Sequence, residues 1–143
     1  MKHKWIIGLS LALFIINFSG CVLYQGQRPT DYQNTLWKSD DPDVWFNVGE
    51  RDEKGYLEEP LLGKAVIGEE TVDIYVGFGT DRYIGFSVDE FDEFGNRITV
   101  FMGDCQFYED RCVVTPREGK DQLFNGEYDT ITFTRIDLES TST

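Results

Sequence analysis

The chain has 143 residues with 26 acidic and 13 basic side chains, a formal net charge of −13, and 15% aromatic residues. So many rings argue for a packed fold rather than a disordered acidic tail, and the charge repels nucleic acid and anionic headgroups. The one histidine is His3.

The chain begins with a basic stretch, Met1-Lys2-His3-Lys4, followed by an apolar run from Trp5 to Phe18 with no charged residue. Then comes Phe18-Ser19-Gly20-Cys21, and the chain turns polar and acidic. A positive start, an apolar middle and small residues at the cut make a secretory signal. The pair Ser19-Gly20 followed directly by Cys21 resembles the lipobox of bacterial lipoproteins. The family usually has Leu where this chain has Phe18. The resemblance implies that residues 1–20 are removed and that the Cys21 sulfur carries a diacylglyceryl group, with palmitate-type acyl chains. The domain then sits on the extracytoplasmic face of the cell membrane, with the membrane as partner through Cys21. An uncut anchor over Trp5–Tyr24 is the competing reading, since about 20 apolar residues span a bilayer; Ser10, Asn17, Ser19 and Gly20 dilute it. Lys2 and Lys4 hold the start on the cytoplasmic side, so the domain is expected outside either way. Loss of these two lysines takes the net charge from −13 to −15.

The segment 21–34 has no hydrophobic period and contains Gln25, Gly26, Gln27 and Pro29. It is expected to be a flexible tether reaching about 20 Å from the lipid. A single domain is predicted over 35–138, with a frayed tail over 139–143.

Leu36-Trp37-Lys38 opens the domain, and Asp40-Asp41-Pro42-Asp43 predicts a turn. Val44, Phe46 and Val48 alternate with polar neighbours, as a strand with one buried face does. Tyr56-Leu57-Glu58 is expected to be a short strand, and Leu61–Ile67 a longer one. Val72, Ile74, Val76 and Phe78 share one face. Gly79-Thr80-Asp81 reverses the chain into Ile84, Phe86 and Val88, a hairpin pattern. A strand over Arg97–Phe107 is expected to bulge at Gly103. Arg111–Thr115 returns beside it, Pro116–Gly119 is expected to be a loop, and Thr130–Ile136 is the last strand. The inward set is expected to be Val44, Phe46, Val48, Val72, Ile74, Val76, Phe78, Ile84, Phe86, Val88, Ile98, Val100, Ile131 and Phe133. Ala65 is the only alanine after the signal, and no long stretch carries a helical period. Parallel strands need helical crossovers, so the sheet is expected to be antiparallel. The fold class is therefore all-β, a small meander barrel or sandwich of about eight to ten short strands.

Chemistry has few candidates. Without histidine in the domain, Ser–His–Asp and Cys–His nucleophilic sites and His-based metal sites are excluded. No phosphate-binding glycine loop occurs, and no cofactor is expected. Asp89, Glu90, Asp92 and Glu93 are the weak candidates for a hard-cation site. Their spacing does not match the calcium-loop pattern, and a solvated hairpin tip accounts for them. Trp45 is an outer aromatic able to bind sugars or proteins, or to cover a barrel end. Cys105 and Cys112 lie on adjacent strands. A four-residue loop, Phe107–Asp110, would set them opposite each other within disulfide range, and oxidation would follow outside the cytoplasm. Two buried thiols are the alternative.

Leu36-Trp37 at the start, with Phe124-Asn125-Gly126 and Ile131-Thr132-Phe133-Thr134-Arg135-Ile136 at the end, resembles small lipoproteins with a lipocalin-like β-barrel. That resemblance implies a fold and no activity. The function expected is a non-enzymatic, lipid-anchored accessory or binding protein with an envelope protein or small ligand as partner. The alternative is a lipocalin-like carrier of a small apolar ligand. The large inward residues predict a filled interior.

Overall fold

The computed structural model describes residues 27–57 and 60–138. A short 3-10 turn, Pro29–Asp31, precedes eight strands: β1 (Thr35–Asp40), β2 (Asp43–Val48), β3 (Leu61–Ile67), β4 (Glu70–Phe78), β5 (Tyr83–Phe91), β6 (Arg97–Phe107), β7 (Arg111–Asp121) and β8 (Ile131–Asp137). Each strand pairs antiparallel with the next, and β8 returns to β1, closing the barrel. The order follows from the turns. Gly68-Glu69 joins β3 to β4 in two residues, with Gly68 at φ 64°, a conformation that glycine adopts without cost. Asp41-Pro42 joins β1 to β2 in two residues as well. Connections this short leave antiparallel neighbours as the one available pairing.

Alternation of the strands sends one side chain in two to the interior. Trp37, Phe46, Phe86, Phe101 and Phe133 are all 0% exposed. Their rings meet at centroid distances of 6.5 Å for Trp37–Phe46, 5.4 Å for Phe46–Phe133 and 4.9 Å for Phe86–Phe101. Full burial of a Phe-sized side chain is worth about 1.5–3 kcal/mol, so these rings dominate what holds the barrel closed.

Of the expected inward set, Val44, Phe46, Val48, Ile74, Val76, Ile84, Phe86, Ile131 and Phe133 are buried. Ile98 is exposed, because β5 and β6 run on past the barrel wall as a projecting hairpin. Residues 54–57 form no strand, and Tyr56 is exposed; the turn there is organised by the Asp52 carboxylate, which accepts from the Lys54 and Tyr56 amides. The bulge expected at Gly103 sits beside it on the partner strand. Phe101 faces Asp121 and Gly103 faces Pro116, so residues 117–120 oppose Met102 alone. Pro116–Gly119 is therefore part of β7 rather than a separate loop. A second bulge places Val100 between the Phe86–Phe101 and Ser87–Thr99 pairs.

The expected tether is also shorter at its inner end. Arg28 donates to the Thr80 carbonyl at 3.3 Å, and Tyr32 packs against Trp37 with ring centroids 6.0 Å apart. The Arg135 guanidinium lies over the Tyr32 ring at 4.3 Å. Residues 28–34 thus cap the barrel end that carries the β4–β5 and β6–β7 turns, called the entry end below. The opposite, far end carries the β1–β2, β3–β4 and β5–β6 turns.

Candidate functional site

The outer wall over β4, β5 and β6 carries a long depression. It is an open trough of about 510 Å³, inside the range of ligand sites. It runs along the strands from Gly79 and Tyr83 at the entry end to Phe91 and Arg97 near the far end.

Its floor is the cross-strand pair Gly77–Gly85. Neither glycine is demanded by the backbone, since both lie outside the positive-φ glycines of the chain. Neither is demanded by packing. A Cβ on Gly77 would meet nothing within 4 Å, and one on Gly85 only the Phe101 carbonyl at 3.8 Å. Gly63 differs, since a Cβ there would lie 2.2 Å from the Trp45 carbonyl. Glycine in mid-strand costs roughly 0.5–1 kcal/mol relative to alanine. Two such residues side by side keep the wall bare at a place where a ligand can approach the backbone.

The walls are aromatic and fixed. The Arg97 guanidinium lies 4.0 Å from the centre of the Tyr75 ring and 5.4 Å from that of Phe91. The Tyr83 ring lies over Gly79, where any Cβ would stand 1.8 Å from it. Arg117 covers the Tyr83 ring at 5.0 Å and is itself held by Asp104 through Nε at 3.0 Å and Nη2 at 2.8 Å. The Asp104 carboxylate raises the Arg117 pKa further, so that cation persists at every accessible pH. Between the rings, Ser87 and Thr99 share one long hydrogen bond of 3.4 Å between their hydroxyls. Each hydroxyl can donate one bond and accept two, so both retain capacity for a ligand.

Around the wall from Tyr75, a second depression of about 310 Å³ is lined by Trp45, Leu62, Lys64 and Tyr75. Trp45 therefore stands on the outer wall, half-buried, rather than over a barrel end.

Cys105 and Cys112 are buried and unjoined. The expected pairing fails by two residues. The β6–β7 connection is Glu109-Asp110, which sets Phe107 opposite Cys112 and Cys105 opposite Val114. The cysteines are diagonal neighbours on the inner face, a relation that puts Cα atoms about 7–8 Å apart, too far for a disulfide. The neighbouring Cys105 thiol, together with burial, pushes the Cys112 thiol far above the usual range.

At the β5–β6 tip, the Asp92 carboxylate is spent on the turn, accepting from the Phe94 and Asn96 amides at 2.9 Å each. Asp89 lies 3.8 Å from Arg97. Asp89, Glu90, Asp92 and Glu93 do not converge, and no group of three or more possible metal ligands occurs among the described residues. Cys21 lies outside the described residues, as do the signal and tail segments. No helix among the described residues is long and apolar enough to cross a membrane.

Sequence reasoning left Trp45 between an outer face and a barrel end, and it missed the trough. Its one trace in the sequence is Gly77 and Gly85, glycines inside two strong strand patterns whose pairing with each other only the register reveals.

The fold defines the class, a closed eight-stranded antiparallel up-and-down barrel, consistent with a lipocalin-like architecture. No family model, curated protein or solved structure matches the chain.

Proposed function

We propose that the protein is a non-enzymatic binding protein, lipid-anchored at Cys21 on the extracytoplasmic face, and that it binds through the outer wall of β4–β6. The observation that carries this reading is the Gly77–Gly85 floor, which the fold does not need and which keeps an aromatic-walled trough open. The interior supports the outer-wall site over the carrier alternative, because five rings with no exposure occupy the space in which a carrier would hold its ligand. Anchoring rests on the Ser19-Gly20-Cys21 motif.

The test is photo-crosslinking in intact cells. A photoreactive residue at Met102, which lines the trough, should form adducts with an envelope component, and one at Thr132 on β8 should not. Gly77→Val with Gly85→Val in the same chain should erase the Met102 adducts. Equal labelling at Met102 and Thr132, or adducts that survive the valines, would sink the outer-wall reading.

A further inference from the structure

We propose that the trough binds an uncharged saccharide; this rests on the outer-wall reading and names its ligand. The first ground is charge. The chain carries 26 acidic residues, yet none of the described residues lining the trough is acidic. The one charged lining residue, Arg97, faces Asp89 at 3.8 Å. Arg117, behind Tyr83, is paired with Asp104 at 2.8 Å. The strip is thus locally neutral on a strongly acidic body. Such a body repels an anion, and a cation would find no carboxylate among those lining residues.

The second ground is shape and bonding. Gly85 is paired on both sides, with Gly77 and with Met102, so a peptide cannot add a strand over the floor. Recognition falls to side chains. The trough offers ring edges at Tyr75 and Tyr83, whose faces carry the Arg97 and Arg117 guanidinia, hydroxyls with spare capacity at Ser87 and Thr99, and a floor of glycine backbone without Cβ atoms. A pyranose ring has the complementary make-up: a flat C–H face for the floor, C–H groups for the tyrosine edges, and hydroxyls around its rim for Ser87 and Thr99. Tyr75 and Tyr83 each stand two residues from the glycine pair, on opposite sides of it. At about 3.4 Å per residue that separates them by about 13 Å along the strands, room for more than one sugar ring. The stacked guanidinia hold both tyrosines in place beforehand, which lowers the entropic cost of binding.

The experiment uses full-length protein in a zwitterionic, sugar-free detergent, with backbone amides followed by NMR. Cellotetraose, maltotetraose and chitotetraose are the neutral probes; tetragalacturonate and an uncharged tetrapeptide are the contrasts. At least one neutral tetrasaccharide should shift the Gly77, Gly85, Ser87 and Thr99 amides and saturate in the millimolar range. Gly85→Val should weaken that binding at least about ten-fold with the remaining amides unmoved, and Thr132→Val should leave it unchanged. Silence with all three neutral probes overturns the proposal, as does tighter binding of tetragalacturonate or the peptide, or binding that survives Gly85→Val. Valine-sensitive crosslinking at Met102 combined with such silence would remove the saccharide and keep the outer wall; valine-insensitive crosslinking would remove the wall itself.

Discussion

Trp37 is fully buried, and its single donor is satisfied by Thr35, two residues earlier on the same face of β1: indole Nε1 donates to Thr35 Oγ1 at 3.0 Å. The hydroxyl passes its own proton on to the Tyr32 carbonyl at 2.8 Å. One threonine thus ties the largest core side chain to the segment that caps the entry end. Thr35→Val keeps the shape and removes both bonds, leaving the indole N–H buried without a partner. The expected loss is about 1–3 kcal/mol of unfolding free energy, with Thr35→Ser retaining most of it. Urea unfolding of the three chains checks this; equal stability of Thr35→Val and the parent would remove the role assigned to Thr35.

The cysteine pair makes the fold sensitive to alkali. Cys112 has its pKa raised in the folded state by the Cys105 contact and by burial. Its contribution is therefore fully present below the unfolded thiol value, about 8.5, and is lost as pH rises beyond it. Unfolding free energy should fall above that pH by up to about 1.4 kcal/mol per unit, less steeply in Cys112→Ala. Iodoacetamide at mildly alkaline pH should label neither thiol until denaturant is added. Rapid labelling of the native protein would contradict the buried arrangement.

The glycines divide into two kinds, and substitution should separate them. Gly63→Ala drives a Cβ to 2.2 Å from the Trp45 carbonyl, a backbone atom that cannot swing aside. It should cost about 1–3 kcal/mol, the range for overpacking. Gly77→Val meets open space and should gain about 0.5–1 kcal/mol from the added strand preference. Denaturation midpoints of the two variants should move in opposite directions; a matching fall in both would mean that Gly77 serves the fold.

A filled barrel takes up no apolar guest. A fluorescent fatty acid titrated into the native protein should show no saturable enhancement. Stoichiometric uptake, quenched when Phe86 is replaced by a larger or polar residue, would restore the carrier reading.

Anchoring is tested at Cys21. Cys21→Ala should release the domain to the medium or accumulate unprocessed precursor, because stable attachment takes two acyl chains. Membrane retention at the mature size in that variant would exclude lipid on Cys21.

The barrel was legible in the sequence wherever one face of a strand is apolar without interruption. Val72, Ile74, Val76 and Phe78 gave β4, and Ile84, Phe86 and Val88 gave β5, because alternation survives whatever lies across the sheet. Register was not legible. Moving the β6–β7 connection from four residues to two preserves every inward side chain and changes only which residues face each other, so composition carried no trace of the change that separates Cys105 from Cys112. The trough was illegible for a related reason. It is made by side chains that are absent, at Gly77 and Gly85, and by rings at Tyr75 and Tyr83 whose placement on either side of the glycines depends on pairing across strands.

The hydrogen bond from Arg28 to Thr80 has a consequence for posture. Thr80 lies in the β4–β5 turn, next to the end of the trough formed by Gly79 and Tyr83. With the lipid on Cys21, few residues separate that corner from the bilayer, and the projecting β5–β6 hairpin with Phe94 at its tip points away from it. Strands in a barrel lean about 35–45° from its axis, and the trough follows β4 and β5. A chain-like ligand seated there would rise obliquely from the membrane surface instead of lying along it.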